Sequence, residues 1–179
     1  FRMATPMNTN TLLRARLGCE AMPAENVRVF LQIQDSRLFG QERDAAGFNT
    51  LADSKNLDLH QGYLEVQKFL IDELTLRLGR QELIYGNERI VGPVGWHKIG
   101  RAFDGGVLKL STEEFSIDAL AMNTAEVQPY TPVATPSSVQ YVKDIGQNLF
   151  GFYSTLKVKD HRIDGYCFYQ WDRIEIVSG

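Results

Sequence analysis

Leu74–Gly86 reads LTLRLGRQELIYG. Leu74, Leu76 and Leu78 fall on one face of a period-2 pattern, and Thr75, Arg77, Gly79 and Gln81 fall on the other. A strand of this kind is aliphatic on one side and polar on the other, with an arginine near its middle. It suits a wall between an oily and a wet medium. Upstream, LDLHQGYLEVQ (57–67) reaches it through the short FLIDE connection (69–73). Downstream, NERIVGPVGWHKIGRAFDG (87–105) runs long before the next apolar alternation. A short connection at one end and a long loop at the other is the pattern of a membrane β-barrel, with short periplasmic turns and long outer loops.

Working outward, the same alternation recurs. Leu13, Ala15, Leu17, Cys19 and Ala21 alternate with Arg14, Arg16, Gly18 and Glu20. Pro23-Ala24-Glu25-Asn26 makes a tight turn, and Val27, Val29, Leu31 and Ile33 then alternate with Arg28, Phe30, Gln32 and Gln34. In 57–68 the parity is open, with Gly62, Leu64 and Val66 facing out if Gln61, Tyr63 and Glu65 face in. Arg80 and Glu82 share the parity of Leu78, so either Gly79 carries a bulge or these charges stand at a membrane rim. Gly106, Leu108 and Leu110 alternate with Val107, Lys109 and Ser111, and Ile117, Ala119 and Ala121 follow the next turn. Segment 147–157 is aromatic on both parities and has no readable orientation. In 164–174, Gly165, Cys167, Tyr169 and Trp171 alternate with Asp164, Tyr166, Phe168 and Gln170.

The expectation is an all-β, antiparallel transmembrane barrel domain. Eight strands are expected, at 11–22, 27–39, 57–68, 74–85, 105–112, 115–123, 147–157 and 164–174. Residues 40–56, 86–103 and 123–146 read as three long loops. The connections thus alternate short and long, a rhythm a soluble sandwich has no reason to keep. The first strand ends at a short turn and therefore runs down to the periplasm, whereas the eighth runs up. That direction suggests one piece of a larger barrel, with its first and last strands unpaired.

Composition narrows the function classes. The chain has 179 residues, a formal charge of −3 and 44% apolar residues, yet no apolar run approaches the ~20 residues of a transmembrane helix. Bulk charge predicts no nucleic acid or other partner. The chain begins at Phe1 without a signal peptide; either an exported protein has lost it or the sequence is incomplete. Cys19 and Cys167 lie far apart and read as unpaired strand residues. His60, His97 and His161 sit in separate segments without ligand spacing, so no metal or cofactor is expected. No nucleophile, zinc or phosphate-loop motif is present, and no enzyme is expected.

The polar parity collects Arg14, Arg16, Arg28, Arg77 and Lys109 against Glu20, Glu65 and Asp118. If that face is a lumen, its basic excess attracts anions. Alternatively the arginines pair with the acids and brace the wall, and both can hold at once. Around the GPVGW loop, Glu82, Glu88, Arg89, Arg101 and Asp104 either form one ion-paired network that folds the loop into the pore or are ordinary solvated charges. Trp96, His97, Tyr130 and Trp171 suit an aromatic belt, loop packing or stacking against sugars.

GRQELIYGNERIVGPVGW (79–96) followed by GRAFDG (100–105) resembles the signature region of the alginate-export family of outer-membrane β-barrel porins. LDLHQGYLEV (57–66) and RARLGCEAMPAENVRVFLQIQDSR (14–37) resemble the same family, as, more thinly, do LFGFYSTLK (149–157) and YCFYQWDR (166–173). The resemblance implies a barrel of roughly 16–18 strands in the bacterial outer membrane. It also implies an arginine-rich pore that passes an acidic polysaccharide. Outer-membrane lipid and an anionic saccharide or small anion are then the expected partners, with other subunits of an envelope assembly as further ones. The alternative is an eight-stranded barrel, soluble or membrane-bound, that binds a small ligand, carries a hydrolase site or serves as a passive structural subunit.

Overall fold

The computed structural model describes residues 11–39, 57–97, 99–125, 131–135 and 138–178. Among them run nine strands: β1 (Thr11–Ala24), β2 (Val27–Phe39), β3 (Asp58–Val66), β4 (Leu74–Gln81), β5 (Phe103–Ser111), β6 (Phe115–Ala125), β7 (Thr131–Thr135), β8 (Ser138–Val158) and β9 (His161–Ser178). All pairings are antiparallel. They form one sheet in which each strand pairs with the next in sequence, except that β6 and β7 lie along the same edge of β8. Among the described residues β1 pairs with β2, β9 pairs with β8, and β1 and β9 do not pair with each other.

Register sorts the side chains. Arg16 faces Gln34, Glu20 faces Phe30, Arg28 faces Glu65, Phe30 faces Tyr63, and Glu65 faces Arg77. Arg77 faces Val107, Lys109 faces Asp118, Asp118 faces Tyr153, and Tyr153 faces Tyr166. These residues share one face. The opposite face presents Leu17, Leu31, Ile33, Leu64, Leu78, Leu108, Phe150, Phe152, Leu156, Tyr169 and Trp171, all exposed. The register thus resolves two open parities: Gln61, Tyr63 and Glu65 lie on the polar face, and in β8 Phe150 and Phe152 point away from Leu149 and Tyr153.

A water-soluble sheet would cover such an apolar face, because its burial is the main favourable term in folding. Here the connection 82–102 instead covers the other face. Its Leu83 and Val91 pack with Phe103, Val107, Leu120, Met122 and Leu149 in the buried cluster.

The structure changes the sequence reading at two places and settles a third that it left open. First, 123–146 is not one loop. β7 and the first residues of β8 form a hairpin there, and β8 extends past β6 to pair with β9. Its Thr, Pro and Ser content reads as loop, but Pro132 lies in β7, an edge strand, where the missing N–H costs no ladder bond. Second, β4 stops at Gln81, not near 85, because the chain turns to bury Leu83. Third, Gly79 carries no register shift. Arg80 stays on the face of Leu78, one residue from the strand end, and its Nη1 donates to Asp104 Oδ2 at 2.5 Å. Residues 40–56 and Tyr130 lie outside the described residues.

Candidate functional site

The polar face is built around Glu65, the centre of three strands and 4% exposed. Arg77 faces it across one ladder and donates from Nε at 2.7 Å and again from Nη2. Arg28 faces it across the other ladder, 3.7 Å away, and donates to Glu20 at 2.9 Å. Tyr63 lies between the two arginines, its ring centroid 4.7 Å from the Arg77 guanidinium and 5.8 Å from that of Arg28. A carboxylate this buried is costly unless several donors satisfy it, and here Arg77 donates twice and Gln67 Nε2 once at 3.2 Å, with the Arg28 guanidinium adding charge from 3.7 Å. Further along, Lys109 stands 4.0 Å from Asp118, which also accepts from the Tyr85 hydroxyl at 3.1 Å. Burial and then the Asp118 carboxylate push the Tyr85 phenol well above its ordinary range, so it remains a donor.

A second cluster holds the 82–102 connection against the wall. Arg16 donates to Gln34 Oε1 at 2.7 Å and to Glu82 Oε1 at 3.0 Å. His60 Nε2 lies 2.7 Å from the same Glu82 oxygen, which places its proton on Nε2. The register shift between β2 and β3 at Gln32/Ile33 makes room for this: Gln61 faces Gln32 and Leu59 faces Ile33, leaving His60 as the extra, buried residue. Gln34 then donates to the carbonyl of Ile99 at 2.6 Å. Arg14 donates to the carbonyls of His97 and Gly95 at 2.9 and 3.2 Å. Gln61 Oε1 accepts from the Glu82 backbone N–H at 3.2 Å, so wall side chains grip the backbone of the connection at Glu82, Gly95, His97 and Ile99.

Between this connection and the wall lie two cavities. One, of about 200 Å³, is lined by Glu65, Arg77, Lys109, Asp118 and Tyr85 among others. The other, of about 270 Å³, lies between residues 85–91 and an aromatic row on β8 and β9.

Arg14, Arg16, Arg28, Arg77, Lys109, Glu20 and Glu65 thus come together on one face. Arg16, Arg28, Arg77 and Lys109 each stand within 4.0 Å of a carboxylate. Of the two readings of the loop charges, the single ion-paired network is not formed. Glu82 turns to Arg16 and His60, while Asp104 pairs with Arg80 on the opposite face. Arg101 lies over the Phe103 ring at 5.9 Å. Arg89 lines the aromatic cavity, and Glu88 packs beside Gly92. Trp96 is 86% exposed, edge-on to His97. The reason is reach: the connection is bound to strands β1, β2 and β3, so its charges meet wall residues before one another. Gln34, His60 and Gln81, all buried here, were missed. Gln34 lay on the polar parity beside Arg16 and was legible there, but nothing in the alternation signals the bulge that turns His60 inward.

A family model described as alginate export matches residues 2–172. No curated protein matches the chain.

Proposed function

This chain belongs to the alginate-export family, and from that premise we propose that its sheet is part of the wall of an outer-membrane β-barrel channel for anionic saccharides or other small anions. Alginate-export membership carries outer-membrane transport as its class of function, and not catalysis. The barrel closes with roughly 16–18 strands, and its passage is narrowed by the inward-folded connection 82–102.

The observation that supports this best is the division of the sheet: exposed aliphatic and aromatic side chains on one face, ion pairs and a folded connection on the other. Lipid suits the first and a water-filled lumen the second. Paired arginines mainly brace the wall, since each faces a carboxylate. The anion preference rests on the others. Among the described residues Arg14, Arg89 and Arg101 have no carboxylate within 4.0 Å, and all three contact or belong to the 82–102 connection. Charge held at a constriction acts where the local dielectric is low and screening weak.

Reversal potentials of the reconstituted protein in a planar bilayer under a salt gradient test the reading. Anion preference is expected, weakened when Arg14 and Arg101 are both replaced by Gln. Cation preference overturns the selectivity, and an absence of conductance overturns the channel.

A further inference from the structure

The apolar face ends differently at its two rims. Among the described strand side chains of this face, the Asp, Glu, Lys and Arg residues are Asp35 and Arg37 of β2, Arg80 of β4 and Asp104 of β5. All of them lie at strand ends remote from the short turns. Two amides continue the row, since Asp104 faces Asn123 and Asn123 faces Asn148. Toward the short turns the same face ends in Val27, Leu74, Leu110 and Val158.

The charges form two pairs. Arg37 holds Asp35 in a fork, Nε to Oδ1 and Nη2 to Oδ2, both at 2.8 Å. Arg80 reaches Asp104 through Nη1, and its Nε has no acceptor among the described residues. Between the pairs runs β3, which is apolar there: a Cβ on Gly62 would stand 3.1 Å from the Leu59 side chain. An arginine facing lipid costs far less at an interface than at the midplane. Depth therefore explains why the pairs are tolerated, but not why one rim alone carries them.

We propose that this charged rim is a docking surface for an outer-leaflet lipid whose sugar headgroup carries phosphate. A guanidinium presents five N–H donors in a fork that matches phosphate oxygens, and neither arginine uses them all on its aspartate. Arg80 in particular is short of an acceptor. The two carboxylates keep the rim neutral while no phosphate is bound. Asn123 and Asn148 donate to and accept from sugar hydroxyls, and Leu59 meets the acyl chains. The inference rests on the lipid-facing part of the channel reading and adds which lipid that face selects, and at which rim.

Native mass spectrometry of the detergent-solubilised protein tests it apart from conduction. The probes are rough lipopolysaccharide, the same material after phosphatase treatment, and phosphatidylglycerol. Several-fold more adduct is expected with the phosphorylated glycolipid than with either of the others. The two members of a pair should act in opposite directions. Arg80→Gln leaves Asp104 uncompensated and weakens binding several-fold, whereas Asp104→Asn frees the guanidinium and strengthens it. Arg37→Gln and Asp35→Asn should follow the same signs, and they decide the matter if the Arg80 variant does not fold. Heat-modified gel migration verifies folding. Equal adducts from all three lipids, or Arg and Asp replacements that act alike, overturn the docking surface while leaving a conducting channel intact. Dimers in place of adducts assign the face to a second copy and overturn it as well. Phosphate-dependent adducts with the expected signs, in a protein that conducts nothing, uphold the docking surface and overturn the channel.

Discussion

Gly79 shows how little room the polar face leaves. It lies opposite Tyr63 in the β3–β4 ladder with φ of +125°. A Cβ there would stand 2.3 Å from the Gly62 carbonyl oxygen and 2.9 Å from Tyr63 Cα. Neither contact is with the end of a flexible chain, so the strand itself would have to move. Tyr63 would move with it, and with Tyr63 the Arg77 guanidinium that rests on its ring. Gly79→Ala is therefore expected to cost about 1–3 kcal/mol from backbone strain alone. Urea unfolding in lipid vesicles measures it. A cost indistinguishable from zero would mean that the strand is not held in this conformation.

At the scale of the element, the 82–102 connection is held by wall groups that reach its carbonyls. Gln34 is the pivot, accepting from Arg16 and donating to Ile99. Gln34→Ala would strand a donor on Arg16 and the Ile99 carbonyl, a penalty of about 1–3 kcal/mol. That is enough to populate a released connection. Larger single-channel conductance and faster tryptic cleavage after Arg89 or Arg101 are expected. Conductance and cleavage both equal to wild type would show that the other contacts, those of Arg14, Arg16, His60, Leu83 and Val91, keep the connection in place without Gln34. This element was half legible in the sequence. Its length and charge marked a loop that could fold inward, and the strands around it followed from simple alternation. Which partners it would meet did not follow, because they are set by the stagger of β1, β2 and β3 and by the bulge at His60. The short β7 was hidden for a related reason. Pro132 and the flanking Thr residues carry a loop composition, and only the overhang of β8 makes them a strand.

Across the whole molecule, the short turns β1–β2, β3–β4, β5–β6 and β8–β9 and the long connection 82–102 lie where alternation puts them, whereas the third long segment carries β7 and the start of β8. Which rim meets which compartment sets such a rhythm more than local propensity does. The same argument predicts how substitutions on the apolar face should scale with depth. Leu31 sits near the middle of β2, opposite Cys19 and Gly62, with 51% of its surface exposed. Val158 is on the same face at the end of β8, next to the turn into β9. If lipid covers this face, Leu31→Arg lies near the midplane and Val158→Arg near an interface. Arginine costs about 2–4 kcal/mol at the midplane and about 0–1 kcal/mol at the edge. In water the two substitutions would differ little, and both would fall within about 0.5 kcal/mol of wild type, as exposed sites do. Folding free energies of the two variants in lipid vesicles therefore separate a lipid-facing wall from a solvated one. A large cost for Leu31→Arg with a small one for Val158→Arg is expected. Equal, small costs would remove lipid from this face, and with it the channel.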